Sequence, residues 1–282
     1  MPQELPDHHQ GNFKLSDTNE LFYQYWLPKG TPRAALVVAH GIAEHSGRYM
    51  NLVNTLVPLG YAVYGIDHLG HGRSTGTRVY VNKFQDYVDG LNLYVDRVRQ
   101  WQPKIPIFLV GHSMGGLISA SFLLEHQAKL SGAILSGPGV KIPDTISRAT
   151  IMAARLFSFL LPKMGIQQLE AKGICQDPEV VQAYVDDPLV FTGKITARLG
   201  AELLNTCDHV MNNAQDITLP LLILQGTADA LVDPTGAQTL YEKVGSSDKT
   251  LTFYQDFFHE IFNEPDHKRV FEDIQTWLQA RI

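Results

Sequence analysis

Short apolar runs alternate with longer amphipathic stretches along this chain, and each run ends in turn-forming or polar residues. The runs are Ala34–Ala39 (AALVVA), Tyr61–Ile66 (YAVYGI), 105–110 (IPIFLV), 132–135 (GAIL), 221–224 (LLIL) and 251–254 (LTFY). Apolar runs this short, without polar alternation, are the signature of strands buried on both faces of a parallel sheet. The stretches 49–59, 81–101, 114–125, 234–244 and 269–280 instead carry apolar residues near a 3.6-residue spacing and predict helices. Strand–helix alternation of this kind predicts the α/β class: an open, mostly parallel sheet flanked by helices on both faces. Residues 13–15 and 21–27 alternate apolar and polar, which predicts an antiparallel hairpin at the sheet edge.

The rhythm breaks between residues 140 and 216. That stretch contains the apolar run 149–161, in which Thr150, Arg155 and Ser158 are the polar residues, and Pro162 ends it. The expected organisation is a core made of residues 1–139 and 217–282, with 140–216 forming a helical cap inserted between two strands. The run 149–161 is too short to span a bilayer. One side of it suits an acyl pocket and the other a lipid surface, while a plain core helix is the competing reading.

In an open parallel sheet, ligands bind at the carboxyl ends of the strands. The polar and glycine-rich clusters of this chain all follow strand ends, so the fold brings them to one edge. Gly111-His112-Ser113-Met114-Gly115 fits G-x-S-x-G, directly after an apolar strand and at the start of a helix. A serine on so sharp a turn needs very small neighbours two residues away on each side, and the helix it opens directs free N–H groups at the site. Ser113 is the expected nucleophile.

A serine hydroxyl needs a general base, and in this architecture the order along the chain is Ser, then Asp or Glu, then His. Asp229 follows the 221–224 strand and His259 follows the 251–254 strand, so His259 is the expected base and Asp229 its orienting acid. Asp233, just before Pro234, better suits a helix N-terminus. Of the 11 histidines, His40 is expected to brace the loop after the first buried strand, and His112 is expected to face away along the turn. The oxyanion donors are expected to be the backbone N–H groups of Ile42 and Met114.

Composition narrows the partners. The net charge is −6, which speaks against a nucleic-acid phosphate footprint. Two cysteines, Cys175 and Cys207, suit free thiols in a reducing compartment, with neither disulfide framework nor metal spacing. The first residues carry no secretory signal pattern, so a cytoplasmic protein in peripheral contact with membrane is expected. The pair His8–His9 is expected to lie in a floppy terminus rather than at a metal site.

Five separated segments together resemble the monoacylglycerol lipases and related lysophospholipases: residues 40–49 (HGIAEHSGRY), 67–74 (DHLGHGRS), 111–116 (GHSMGG), 226–229 (GTAD) and His259-Glu260. The resemblance implies an α/β-hydrolase fold, no cofactor and no metal, and hydrolysis of a single-chain acylglycerol through an acyl-enzyme. A lysophospholipase or a general carboxylesterase is the alternative. It places Ser113, Asp229 and His259 in the triad and Ile42 and Met114 at the oxyanion hole. Glu44, Arg48, His112 and Tyr184 fall at the polar end that holds glycerol. Read from spacing alone, Glu44 and Arg48 could equally form an ordinary ion pair on a helix surface. Some animal members carry a cysteine a few residues after the triad acid; here that place is Val232, so thiol-directed inhibition does not carry over. Dehalogenases and epoxide hydrolases place Asp where this chain has Ser113, and a non-catalytic binding module would lack a triad member.

Overall fold

A computed structural model describes residues 7–141, 157–168 and 170–282. The chain begins with β1 (Asp7–Lys14), β2 (Glu20–Leu27) and β3 (Ala34–Ala39), then α1 (Met50–Leu56), β4 (Tyr61–Ile66) and α2 (Gln85–Trp101). It continues with β5 (Ile107–His112), α3 (Met114–His126) and β6 (Gly132–Ser136). Next come β7 (Gly165–Gln168), α4 (Pro178–Asp186), β8 (Lys194–Thr196) and α5 (Ala197–Asn213). The chain closes with β9 (Leu221–Gly226), α6 (Thr235–Lys243), β10 (Lys249–Tyr254) and α7 (Lys268–Gln279).

Eight strands form the main sheet in the order β1-β2-β4-β3-β5-β6-β9-β10. The β1/β2 and β2/β4 pairs are antiparallel and the other neighbours are parallel. β7 and β8 make a separate antiparallel pair. The order steps outward from β3 to β4 and then returns to β5 on the other side of β3. The crevice between the carboxyl ends of β3 and β5 is therefore the switch point of the sheet, where ligands bind in such folds.

β3 shows why the apolar runs form central strands. Ala35, Val37 and Ala39 face one core cluster, shared with Leu91 of α2, Leu117 of α3 and Val210 of α5. Leu36 and Val38 face the other, shared with Leu52 of α1 and Phe271 of α7. Both faces of the strand are dry, and truncating Leu36 to alanine there would cost about 2–5 kcal/mol.

The expected strands and helices are present, with shifts at their ends. β5 starts at Ile107, because Pro106 has no N–H to give the ladder and contributes only its carbonyl, to Ala35 N–H at 2.9 Å. The expected helix 49–59 is broken into α1 and a 3-10 turn at Val57–Leu59 that contains Pro58 and stops at Gly60, φ 93°. α2 begins at Gln85, four residues later than expected. His8 and His9 are a correction. They lie within β1, paired to Trp26 and Tyr25 of β2, and their rings stack on those residues at 4.9 and 4.8 Å. An exposed edge strand held by backbone pairing needs no apolar pattern, so a polar sequence hides it.

β7, α4, β8 and α5 all lie between β6 and β9. Of the apolar run 149–161, residues 149–156 lie outside the described residues. Residues 157–160 are helical, and Phe159, Leu160 and Leu161 expose 77%, 60% and 52% of their surface. No helix among the described residues is long and apolar enough to cross a membrane.

Candidate active site

Ser113 sits between the last residue of β5 and the first of α3, with φ 55° and ψ −119°. This backbone is sparsely populated for a residue with a Cβ and is held by its surroundings. Ser113 N–H donates to Ser136 O at 3.0 Å, and its own carbonyl accepts from the N–H of Gly116 and of Gly139. The flanking glycines have the expected reason. A Cβ at Gly111 would run into Ser119 Oγ and the Gly115 carbonyl, and one at Gly115 into the carbonyl of Ala39.

Asp229 and His259 come from the loops after β9 and β10, neighbours in the sheet. Asp229 Oδ2 lies 2.7 Å from His259 Nδ1 and also accepts from Gln225 Nε2 at 2.9 Å. Its Oδ1 accepts from the N–H groups of Leu231 and Val232 at 2.9 and 3.0 Å. Burial alone would raise the carboxyl pKa, but His259 and these donors hold it below the ordinary Asp value. For His259, burial pushes the imidazole down, and Asp229 outweighs it, so the pKa ends above the ordinary histidine value. An imidazole with Nδ1 bound to a buried carboxylate presents Nε2 as the proton acceptor. Asp233 does cap the next helix: its Oδ1 accepts from Thr235 N–H at 2.9 Å.

Ser113, Met114, Ile42, Glu44, His112, Tyr184 and His259 line one cavity of about 200 Å³. Its remaining wall is largely apolar and includes Ile174, Ile195, Leu203, Leu204, Leu231 and Val232. The site residues expected from sequence are thus brought together, Arg48 standing behind Glu44 in an adjoining small recess. The inserted segment supplies Tyr184 from α4 and Leu203 and Leu204 from α5.

Two histidines behave differently from each other. His40 braces its loop as expected: Nδ1 lies 2.7 Å from the Gly41 carbonyl, and Nε2 accepts from His68 N–H at 2.9 Å. His112 does not face away. Its ring is 4.7 Å from that of His259, its Nδ1 lies 3.1 Å from Ser136 O, and it borders the cavity. His112 is the last residue of β5, paired in register with Ser136 of β6, and this strand position turns its ring toward His259. Burial and the neighbouring His259 push the His112 pKa down to about 4, so at neutral pH it is uncharged.

Glu44 and Arg48 form a buried pair, not a helix-surface one. Arg48 Nη1 donates to Glu44 Oε2 at 2.8 Å and to Glu260 Oε1 at 2.6 Å, while Nη2 donates to Glu260 Oε2 at 2.8 Å. Glu44 Oε1 accepts from Gly41 N–H at 2.7 Å and from Tyr49 Oη at 2.9 Å. Burial works to raise the Glu44 pKa, yet Arg48, His112 and His40 together bring it down to about 2. The Arg48 guanidinium lies over the Tyr184 ring, 4.6 Å from its centre. Sequence reasoning missed Glu260 and Gln225 as supports, although Glu260 stands beside the base in the matched His259-Glu260 motif.

The family model described as serine aminopeptidase, S33 matches residues 30–266. A monoglyceride lipase of Rattus norvegicus is 37% identical, across 100% of this chain and 94% of its own. A monoacylglycerol lipase of Mycolicibacterium smegmatis is 35% identical, across 93% and 94%. A solved structure, of a soluble variant of monoglyceride lipase from Saccharomyces cerevisiae in complex with a substrate analog, superposes with a TM-score of 0.87 at 25% identity, covering 99% of this chain and 97% of that one. The chain belongs to the serine aminopeptidase S33 family of α/β-hydrolases and, within it, to the monoglyceride lipases.

Proposed function

We propose that this protein hydrolyses single-chain acylglycerols, with Ser113 as nucleophile, His259 as general base and acid, and Asp229 orienting the imidazole. The observation that carries the reading is the shared cavity. It holds a buried Asp–His pair and an elbow serine at one point, an apolar wall along most of its length, and a charged recess at the glycerol end. The names of the full-length relatives support the same substrate class.

The chemistry follows from the placement. Ser113 Oγ attacks the ester carbonyl carbon as His259 Nε2 takes its proton. The carbonyl π electrons move to oxygen, and the N–H groups of Ile42 and Met114 hold the oxyanion. Loss of one such donor typically costs about 10²–10³ in kcat. Collapse of this intermediate breaks the C–O bond to glycerol, whose oxygen takes the proton from His259. The acyl chain remains on Ser113. Water then repeats the sequence, with His259 again removing and returning one proton, and fatty acid leaves. Asp229 stays ionised and stabilises the imidazolium formed in both halves. Glu44, His112 and Tyr184, with Arg48 behind them, form the polar end that receives glycerol.

Residues 140–216 act as the cap over this cavity, while 1–139 and 217–282 form the core. Phe159, Leu160, Leu161 and Met164 expose apolar surface on the inserted segment. They give the cap a face for transient contact with lipid, from which an insoluble substrate is drawn.

The test compares long-chain monoacylglycerol, lysophosphatidylcholine and a butyrate ester for the wild type and Ser113→Ala. Preference for the long monoacylglycerol, abolished in Ser113→Ala, is expected. Turnover of butyrate alone would retain the nucleophile and overturn the lipid reading. Replacing Phe159 and Leu160 by serine should lower activity on vesicle-borne substrate and leave dissolved butyrate unaffected. Equal effects on both would sink the surface-contact role.

A further inference from the structure

We infer that Glu260 is a positioning residue for the oxyanion loop, acting at a distance through Arg48 and Glu44. The inference rests on the reading of Ile42 as an oxyanion donor.

The loop that carries Ile42 is not a relaxed turn. Ala43 has φ 65°, a left-handed backbone unfavourable for a residue with a Cβ. Three contacts hold this turn: Glu44 Oε1 receives Gly41 N–H at 2.7 Å, the Gly41 carbonyl meets His40 Nδ1 at 2.7 Å, and the Ala43 carbonyl receives Phe191 N–H at 2.8 Å. The Glu44 bond fixes the His40–Gly41 peptide and the His40 contact fixes the next one, which carries the Ile42 N–H, so the direction of that N–H depends in part on where the Glu44 carboxylate sits.

What keeps Glu44 there is a matter of competition. A guanidinium is at its most stable when both its parallel N–H groups meet both oxygens of one carboxylate. With Glu44 as its sole carboxylate partner, Arg48 would draw both Glu44 oxygens toward itself and away from Gly41. In this structure Glu260 occupies that forked position, at 2.6 and 2.8 Å, and leaves Glu44 with one bond to Nη1. Glu44 Oε1 then remains available to Gly41 N–H and Tyr49 Oη. Glu260 is itself fixed by Asn263 Nδ2 at 2.8 Å and by its backbone N–H to Ile174 O at 2.7 Å. All three charged side chains are nearly dry, with 10%, 5% and 6% of the Arg48, Glu44 and Glu260 side chains exposed. Water therefore offers little substitute for a lost partner. Because Glu260 follows His259, one short loop sets both the general base and, through Arg48, the oxyanion donor.

A double-mutant cycle separates this route from alternatives. For long-chain monoacylglycerol, Glu260→Gln should lower kcat about tenfold with KM changed less than twofold. In a Glu44→Gln background the same replacement should change kcat less than twofold, because the path is already cut. A trifluoromethyl ketone, which forms a tetrahedral oxyanion on Ser113, should weaken by the same factor as kcat/KM. Thermal unfolding of each variant establishes that it is folded. If Glu260→Gln does not fold, Arg48→Lys runs the same cycle, keeping the charge while removing the fork. Equal losses in both backgrounds, or an effect confined to KM, would overturn the inference. So would a loss explained by a shifted acid limb of the pH–rate profile, which would mean that Glu260 acts by its charge on His259. A wild type inactive on every ester would instead count against the proposed function as a whole. An active wild type, a dead Ser113→Ala and an additive cycle would remove only the role of Glu260.

Discussion

Gly115 packs against the carbonyl of Ala39 so closely that a Cβ added there would overlap it. The contact joins the start of α3 to the end of β3. It sets the gap between the turn that carries Ser113 and the loop that carries Ile42. Neither side can give way, because both contacting groups are backbone and the core on each side is dry. Gly115→Ala is therefore expected to lose more than about 3 kcal/mol of stability, in the range reserved for overpacking and backbone strain. Urea unfolding measures this. A soluble variant of wild-type stability would show that the elbow is looser than described.

Ser113 makes the opposite prediction. Its φ of 55° stores strain worth about 1–3 kcal/mol. Glycine relieves that strain and adds back about 0.5–1 kcal/mol through the freedom of its unfolded chain. Ser113→Gly should thus be inactive but more stable by about 1 kcal/mol, a rise in Tm of about 2–4 °C for a chain of this size. Ser113→Ala keeps the strain and should match the wild type. Calorimetry of the three proteins decides it, and identical values for the glycine and alanine variants would refute a strained elbow.

The Asp229–His259 pair sets the pH dependence. His259 must be neutral to take the Ser113 proton, and its pKa lies above the ordinary 6.5 because Asp229 outweighs burial. kcat/KM should therefore fall as pH drops through a value above 6.5. Asp229→Asn removes the largest upward contribution, so the limb moves to lower pH. The loss of the correct tautomer should lower kcat by about 10⁴. A pH–rate profile on a soluble ester reads both effects. An acid limb that stays in place in Asp229→Asn would mean that Asp229 does not control the imidazole.

The central strands were legible because β3 and β4 are buried on both faces, and an unbroken apolar run has few other uses in an α/β chain. The convergence of Ser113, Asp229 and His259 was legible because each follows such a strand, and strand ends share one edge. β1 was only partly legible, since residues 7–10 are exposed and bind through the backbone. His112 was expected to face away along the turn, but it still belongs to β5, and its ring lies 4.7 Å from that of His259, a residue 147 positions later that no local pattern places there. The Arg48–Glu260 fork left no local trace: its partners are 212 positions apart, and only the sheet order brings their loops together. Short inserted elements such as β8 and α4 carry too few residues for a period to stand out.

The wall of the cavity offers a last test, because it should set the acyl chain accepted. Cys207 lies on α5 beside Leu203 and Leu204, lines the cavity, and donates its thiol to the Gly139 carbonyl at 3.2 Å. The side chain is buried, and burial pushes its pKa up to about 12, so it serves as a small apolar wall and not as a reactive thiolate. Cys207→Trp would fill space that a long acyl chain needs while leaving Ser113, His259 and the charged recess untouched. Each methylene kept out of the apolar wall forfeits about 0.8 kcal/mol, so excluding four should lower kcat/KM for an oleoyl ester about 200-fold. Butyrate, which never reaches that part of the wall, should keep its rate within about threefold. A chain-length series from butyryl to oleoyl reads the break directly. If short and long esters fell together, α5 would be supporting the site rather than measuring the substrate.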